Sequence, residues 1–195
     1  MLNIPEYKEY AGETKIALMD NSSLAFMHEL SQRSYPSDGI LSVYDLILIP
    51  KWVMEEIEDS TYRSTYVEQL QAQGYPIRWI DETKYGAFVN DEDVNLYYIV
   101  EAAVSRVSEL MRFLRRKVKT EDLIDLPSTE EWMNRLYDEW PIHGRTLSTG
   151  RTLKKNAGEI SLTILAEIFA WYHDGVDSLT IYTQDTDCLL YTSPS

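Results

Sequence analysis

The apolar positions of this chain fall into four short runs separated by longer amphipathic stretches. Ile16-Ala17-Leu18-Met19 follows Lys15 and stops on Asp20, while Leu46-Ile47-Leu48-Ile49 stops at Pro50. Ile77-Arg78-Trp79-Ile80 follows Pro76, and Leu179-Thr180-Ile181-Tyr182-Thr183 runs into Gln184-Asp185-Thr186-Asp187. Runs of this length, bounded by turn formers or polar residues, read as buried strands, because a helix of equal burial needs more residues. Elsewhere the apolar period lengthens to three or four. A helix is predicted from Ser23 to about Gln32 and another over 51–59. Leu96, Val100, Ala103, Val107, Leu110 and Leu114 predict one long amphipathic helix from Asp91 to about Val118. Ser128-Thr129-Glu130-Glu131 is a capping-box pattern opening a short helix with Trp132, Leu136 and Trp140 on one side. A last helix opens at Asn156, with Leu162, Leu165, Phe169 and Tyr172 sharing a face and Gly175 as its stop. Residues 1–14 are polar and read as an arm or edge element, and 141–150 as a loop. Strands alternating with helices predict a parallel sheet with right-handed crossovers, and residues 84–150 read as a helical insertion into that α/β frame.

Composition narrows the chemistry. With 195 residues, 44% of them hydrophobic, the chain is long enough for one domain with a substantial core. Its longest apolar runs are far shorter than a membrane span, and Met1-Leu2-Asn3-Ile4-Pro5-Glu6 lacks the features of a signal peptide, so a cytoplasmic location is expected. A single cysteine, Cys188, excludes an internal disulfide, and one cysteine with three scattered histidines does not make an ordinary zinc site. His28, His143, His173 and Cys188 have no readable catalytic base or nucleophile beside them. The excess of 32 acidic over 18 basic residues gives a formal charge of −14, which argues against wholesale attraction to a polyanion. Two local reversals remain: Arg112, Arg115, Arg116, Lys117 and Lys119, and then Arg145, Arg151, Lys154 and Lys155. Basic residues at a helix C-terminus also simply suit its dipole, which weakens a nucleic-acid reading of the first group.

The acids are the more informative charges. Asp20 and Asp185 each follow a strand at its carboxyl end, the edge at which open parallel sheets bind ligands. The helices opened by Lys51 and Asn156 start near the same edge and can each present an acid there. Glu55 and Glu56 are about 100° apart around their helix, so only one of them faces a given site. Each acid also has a structural explanation: Asp20 as the N-cap of the helix that follows it, Glu159 as the acid of an Asn-x-x-Glu capping box, and the glutamates as solvent-facing positions. Carboxylates that converge need a counter-charge, and with these ligands it would be Mg²⁺ or Mn²⁺.

Taken together, Ile16-Ala17-Leu18-Met19-Asp20-Asn21-Ser22, Ile49-Pro50-Lys51-Trp52-Val53-Met54-Glu55-Glu56-Ile57, Gly158-Glu159-Ile160-Ser161-Leu162 and Thr183-Gln184-Asp185-Thr186-Asp187 resemble the motifs of the PIN-domain family of metal-dependent ribonucleases. None of the four is specific alone; their order and their strand or helix context carry the resemblance across residues 15–187. It implies a three-layer PIN-like fold with a central parallel sheet and a helical insertion, in a single domain over 1–195. It implies an endoribonuclease in which Asp20, Glu56, Glu159 and Asp185 hold Mg²⁺ or Mn²⁺, with Asp187 as an auxiliary ligand and Ser22 in support. The motif form selects Glu56 over Glu55. Arg151, Lys154 and Lys155, which precede Glu159, are the expected RNA phosphate contacts. Family members of the toxin type imply an antitoxin protein as partner, homodimers are frequent in the family, and no membrane is implied. One departure is the short stretch after Asp187, where the family's closing helix and strand are expected to be missing and 189–195 look like adapter sequence read in frame. The alternative expectation is a PIN-like module that binds RNA or a protein without cutting.

Overall fold

The computed structural model describes residues 15–35, 38–58, 60–89, 93–105, 107–118, 128–172 and 175–184. The polar arm 1–14 and the carboxylates Asp185 and Asp187 lie outside the described residues, as do His173, Lys119 and Cys188. The chain runs β1 (Lys15–Met19), α1 (Asn21–Gln32), a 3₁₀ segment (Asp38–Val43), β2 (Leu46–Pro50), α2 (Lys51–Ile57), α3 (Thr61–Ala72) and β3 (Ile77–Ile80). A second 3₁₀ segment (Glu82–Val89) leads to α4 (Asp93–Val104), α5 (Ser108–Val118), α6 (Thr129–Asp138), β4 (His143–Thr146), β5 (Thr152–Lys154), α7 (Ala157–Tyr172) and β6 (Ser178–Tyr182).

Four strands make one all-parallel sheet in the order β3-β2-β1-β6. Ile16 to Met19 and Leu46 to Pro50 are buried without alternation. Successive side chains of a strand point to opposite faces, so an unbroken buried run means that both faces are covered. This is an α/β arrangement of helix layers about a parallel sheet. Helix α7 packs on β1, β2 and β6 and also against α4 and α2, while α1, α2 and α3 pack against one another. The buried apolar residues from all of these elements form one core.

The structure departs from the pattern reading in four places. First, α1 begins at Asn21, two residues before Ser23, because Asp20 caps it. Second, the helix predicted from Asp91 to Val118 is two helices. Ser105 and Val107 donate to the carbonyls three residues back, at 3.1 and 3.0 Å, and Met111 N–H to Val107 O at 2.9 Å starts a new ladder. The fold-back brings Arg115 Nε within 3.1 Å of Glu101 Oε1, whereas residues so far apart on a straight helix would be separated by about 21 Å. Third, α3 has no counterpart in the pattern reading. Its buried side chains are only Tyr66, Val67 and Leu70, too few for a stripe, and packing against α1 and α2 holds it.

Fourth, the 141–150 region is not simply a loop but opens the antiparallel hairpin β4–β5, paired from His143↔Lys154 to Thr146↔Thr152. Its strands are mostly exposed, so no alternation announces them. The hairpin is seated by contacts distant in sequence. Trp140 Nε1 donates to Lys155 O at 2.9 Å, and Arg151 Nη2 reaches Glu55 Oε2 at 2.8 Å.

Candidate active site at the carboxyl edge of the sheet

The strand order places a crevice at β1. From β1 the chain moves outward through β2 to β3, then returns to lay β6 on the other side of β1. The direction reverses there, and the carboxyl ends of strands flanking such a reversal are where α/β sheets accept ligands. Met19 pairs with Tyr182, and Asp20 N–H donates to Tyr182 O at 3.2 Å, so Asp20 and Thr183 emerge side by side.

Asp20 is buried, 6% exposed, and its carboxylate is encircled by donors. Ser23 N–H donates to Oδ1 at 2.6 Å, Ser22 Oγ lies 3.0 Å from Oδ1 and 2.8 Å from Oδ2, and the Thr183 hydroxyl donates to Oδ2. The N-cap role is therefore present. It accounts for the Ser23 bond; the Thr183 bond additionally ties Asp20 to the end of β6. Ser22 links the same two chain ends, since its Oγ accepts from Gln184 N–H at 2.9 Å.

Glu56 and Glu159 arrive from α2 and α7. A Cβ added at Gly158 would stand 3.1 Å from Val53 Cγ2 and 3.5 Å from Glu56 Oε1, so the absence of a side chain there lets the start of α7 lie against α2. Asn156 enters α7 at φ 63°, a left-handed conformation that asparagine tolerates. A residue that caps with its side chain is ordinarily extended. Burial, the Glu159 charge and the Asp20 charge push the Glu56 carboxyl up to about 7, against the lowering effects of Asn21 and Arg145. Asn21 Nδ2 donates to Glu56 Oε2 at 3.2 Å, and Arg63 Nη1 donates to Asn21 Oδ1.

The two adjacent glutamates separate as the helical repeat requires. Glu55 accepts from Tyr137 Oη and Arg151. Of the basic residues chosen from sequence, Arg151 is held by Glu55, and Lys154 donates to Asp138 O at 3.0 Å and lies 5.5 Å from the Tyr137 ring centroid. Lys155 is exposed, with its backbone seated in the hairpin. Among the described residues, the Arg145 charge, on β4, acts on Glu56, and Arg63, on α3, reaches it through Asn21. Neither was singled out for this from sequence. Arg145 belonged to the second basic cluster, but nothing local says that its charge bears on Glu56.

A further acid went unnoticed. Glu82 is fully buried; its Oε1 accepts from Trp52 N–H at 3.0 Å and from Ser161 Oγ at 2.6 Å. Burial pushes its carboxyl up to about 8, and the bonds from Ser161 and Trp52 pull it only partly back. Its neighbour Asp81 is half-buried and pairs with Lys51 at 3.0 Å.

Among the described residues, no three acidic, histidine or cysteine side chains are arranged to hold a metal ion. The donor chemistry at the crevice is nonetheless that of a hard cation: carboxylates and hydroxyls, with like charges that raise one member's proton affinity. Among the described residues, no helix is long and apolar enough to cross a membrane. The chain matches no known family model, no curated protein and no solved structure.

Proposed function

We propose that this chain is a PIN-like, metal-dependent endoribonuclease that hydrolyses RNA phosphodiester bonds at the β1/β6 crevice. The observation that carries the reading is the approach of Asp20, Glu56 and Glu159, from one strand end and two helices, close enough for two of them to raise the third's proton affinity. A solvated acidic surface avoids that cost; a divalent cation removes it. Asp20, Glu56 and Glu159 would hold Mg²⁺ or Mn²⁺, with Asp185 and Asp187 completing the set. The cation would supply Lewis acidity toward the phosphate and neutralise charge developing on it. The chain's own residues do the rest. Ser22 and Thr183 fix the Asp20 carboxylate, and Asn21 holds Glu56 and couples it to Arg63. Arg145 and Arg63 place positive charge beside acids that would otherwise repel an RNA backbone. They join Arg151, Lys154 and Lys155 as proposed phosphate contacts, Arg151 and Lys154 being also engaged with Glu55 and Asp138.

A second reading is a PIN-like module that binds RNA or a protein without cutting. It is favoured by one observation, that both Asp20 oxygens are engaged by hydroxyl and amide donors of the chain itself. Cleavage of a labelled mixed RNA decides between the two, with Mn²⁺ or Mg²⁺ against EDTA and Asp20→Asn alongside. Metal-dependent cutting that falls at least a hundredfold in the variant supports the nuclease. RNA retention without cutting by folded wild-type protein supports the binding module.

A further inference from the structure

The α2–α7 approach that brings Glu56 near Glu159 is bridged by a side chain that belongs to neither helix. Glu82 opens the 3₁₀ segment after β3 and is fully buried. Pro50, at the N-cap of α2, makes no side-chain cap bond, and the Trp52 N–H of that first turn is taken by Glu82 Oε1 at 3.0 Å. The same oxygen accepts from Ser161 Oγ, near the start of α7, at 2.6 Å. Ser161 is in turn 2.8 Å from the hydroxyl of the fully buried Tyr85, one turn along from Glu82. Glu82 Oε2 is buried with no hydrogen-bond partner among the described residues. A lone acceptor spanning two helices, fully buried where unmade bonds are costly, is a distance constraint on both. Trp52 stands four residues before Glu56, one turn away on the same helix, and Ser161 two residues after Glu159.

We propose that Glu82 is a positioning residue: its single engaged oxygen ties the start of α2 to the start of α7 and thereby sets the spacing of Glu56 and Glu159. The consequence for metal binding rests on the nuclease reading; the clamp itself does not. Glu82 touches neither acid and acts only through the helices that carry them. Glutamine in its place retains a carbonyl oxygen able to accept both bonds. Methionine fills similar volume and accepts neither.

The test compares wild type, Glu82→Gln, Glu82→Met and Ser161→Ala, measuring amide exchange by NMR and binding of Mn²⁺ alone by calorimetry. Glu82→Met is expected to speed exchange of the Trp52 amide at least tenfold while leaving the β1 amides unchanged, and to weaken Mn²⁺ at least tenfold. Glu82→Gln should restore both to within threefold of wild type. Should Glu82→Met fail to fold, Ser161→Ala decides. It releases only the α7 arm, so it should keep the Trp52 amide protected and still weaken Mn²⁺ several-fold. Unchanged Trp52 exchange in folded Glu82→Met overturns the clamp, and wild-type Mn²⁺ affinity in either Glu82→Met or Ser161→Ala overturns its role in spacing the acids. Absence of Mn²⁺ binding by wild type itself would remove the metal reading. The clamp would then stand or fall on the exchange of Trp52 and residues 160–165.

Discussion

Replacing Glu82 with glutamine should make the protein less sensitive to rising pH. In the folded chain burial holds this carboxyl up to about 8, whereas an unfolded chain releases the proton near the ordinary glutamate value of 4.5. A raised folded value means that the folded state binds the proton more tightly. The contribution is therefore complete below the unfolded value and is lost as pH rises through the interval up to about 8. Integrated between about pH 5.5 and about pH 8, a group with these two values removes about 3 kcal/mol of stability. Glu56, raised to about 7, adds a loss of the same sign, about 2 kcal/mol over the same interval. Glutamine carries no titrating proton, so Glu82→Gln should keep only the Glu56 part. The assay is urea unfolding followed by tryptophan fluorescence at the two pH values, in EDTA so that no cation competes. Equal slopes on denaturant would show that the same transition is compared. The reasoning is refuted if wild type and Glu82→Gln lose the same stability across the interval. That result would mean that Glu82 is already ionised inside the fold, with burial overcome by the Ser161 and Trp52 bonds.

Two further predictions concern the acids directly. Gly158→Ala should destabilise the protein by about 1 kcal/mol, since the new methyl meets the rigid Val53 side chain, and overpacking outweighs the gain in helix propensity. Thermal unfolding measures it, and a stabilised variant would show that α2 and α7 separate freely. Binding of Mn²⁺ should strengthen as pH rises toward about 7 and then level off, because Glu56 must release its proton to a cation. Calorimetry at about pH 5.5, 6.5 and 7.5 reads this, and a flat profile would exclude Glu56 from the ligands.

How much of this was legible along the chain depends on the range of the interaction. Ile16 to Met19 and Leu46 to Pro50 are recognisable because a strand covered on both faces must be apolar at every position. The stop on Asp20 is recognisable because a cap must sit next to its own helix. The single-helix pattern over 91–118 misled for a related reason: the period of three and four continues through Val104 and Val107, and only the Glu101–Arg115 pairing and the packing of α5 back on α4 reveal the turn between them. The selection of Glu56 over Glu55 came from motif form, and the geometry separates them by what each touches, Asn21 in one case and Arg151 in the other.

By itself the sequence determined the α/β alternation and the acids at strand and helix starts. These depend on neighbours a few residues away, where period and side-chain chemistry decide. Tertiary structure alone decided that β6 lies beside β1, so that Thr183 reaches Asp20, and that the Arg145 charge bears on Glu56. It alone buried Glu82 between two helices and tied Arg151 to Glu55. Each of these joins residues 30 or more positions apart. Their meeting is set by how whole elements pack into one core, a property that no local window of residues carries.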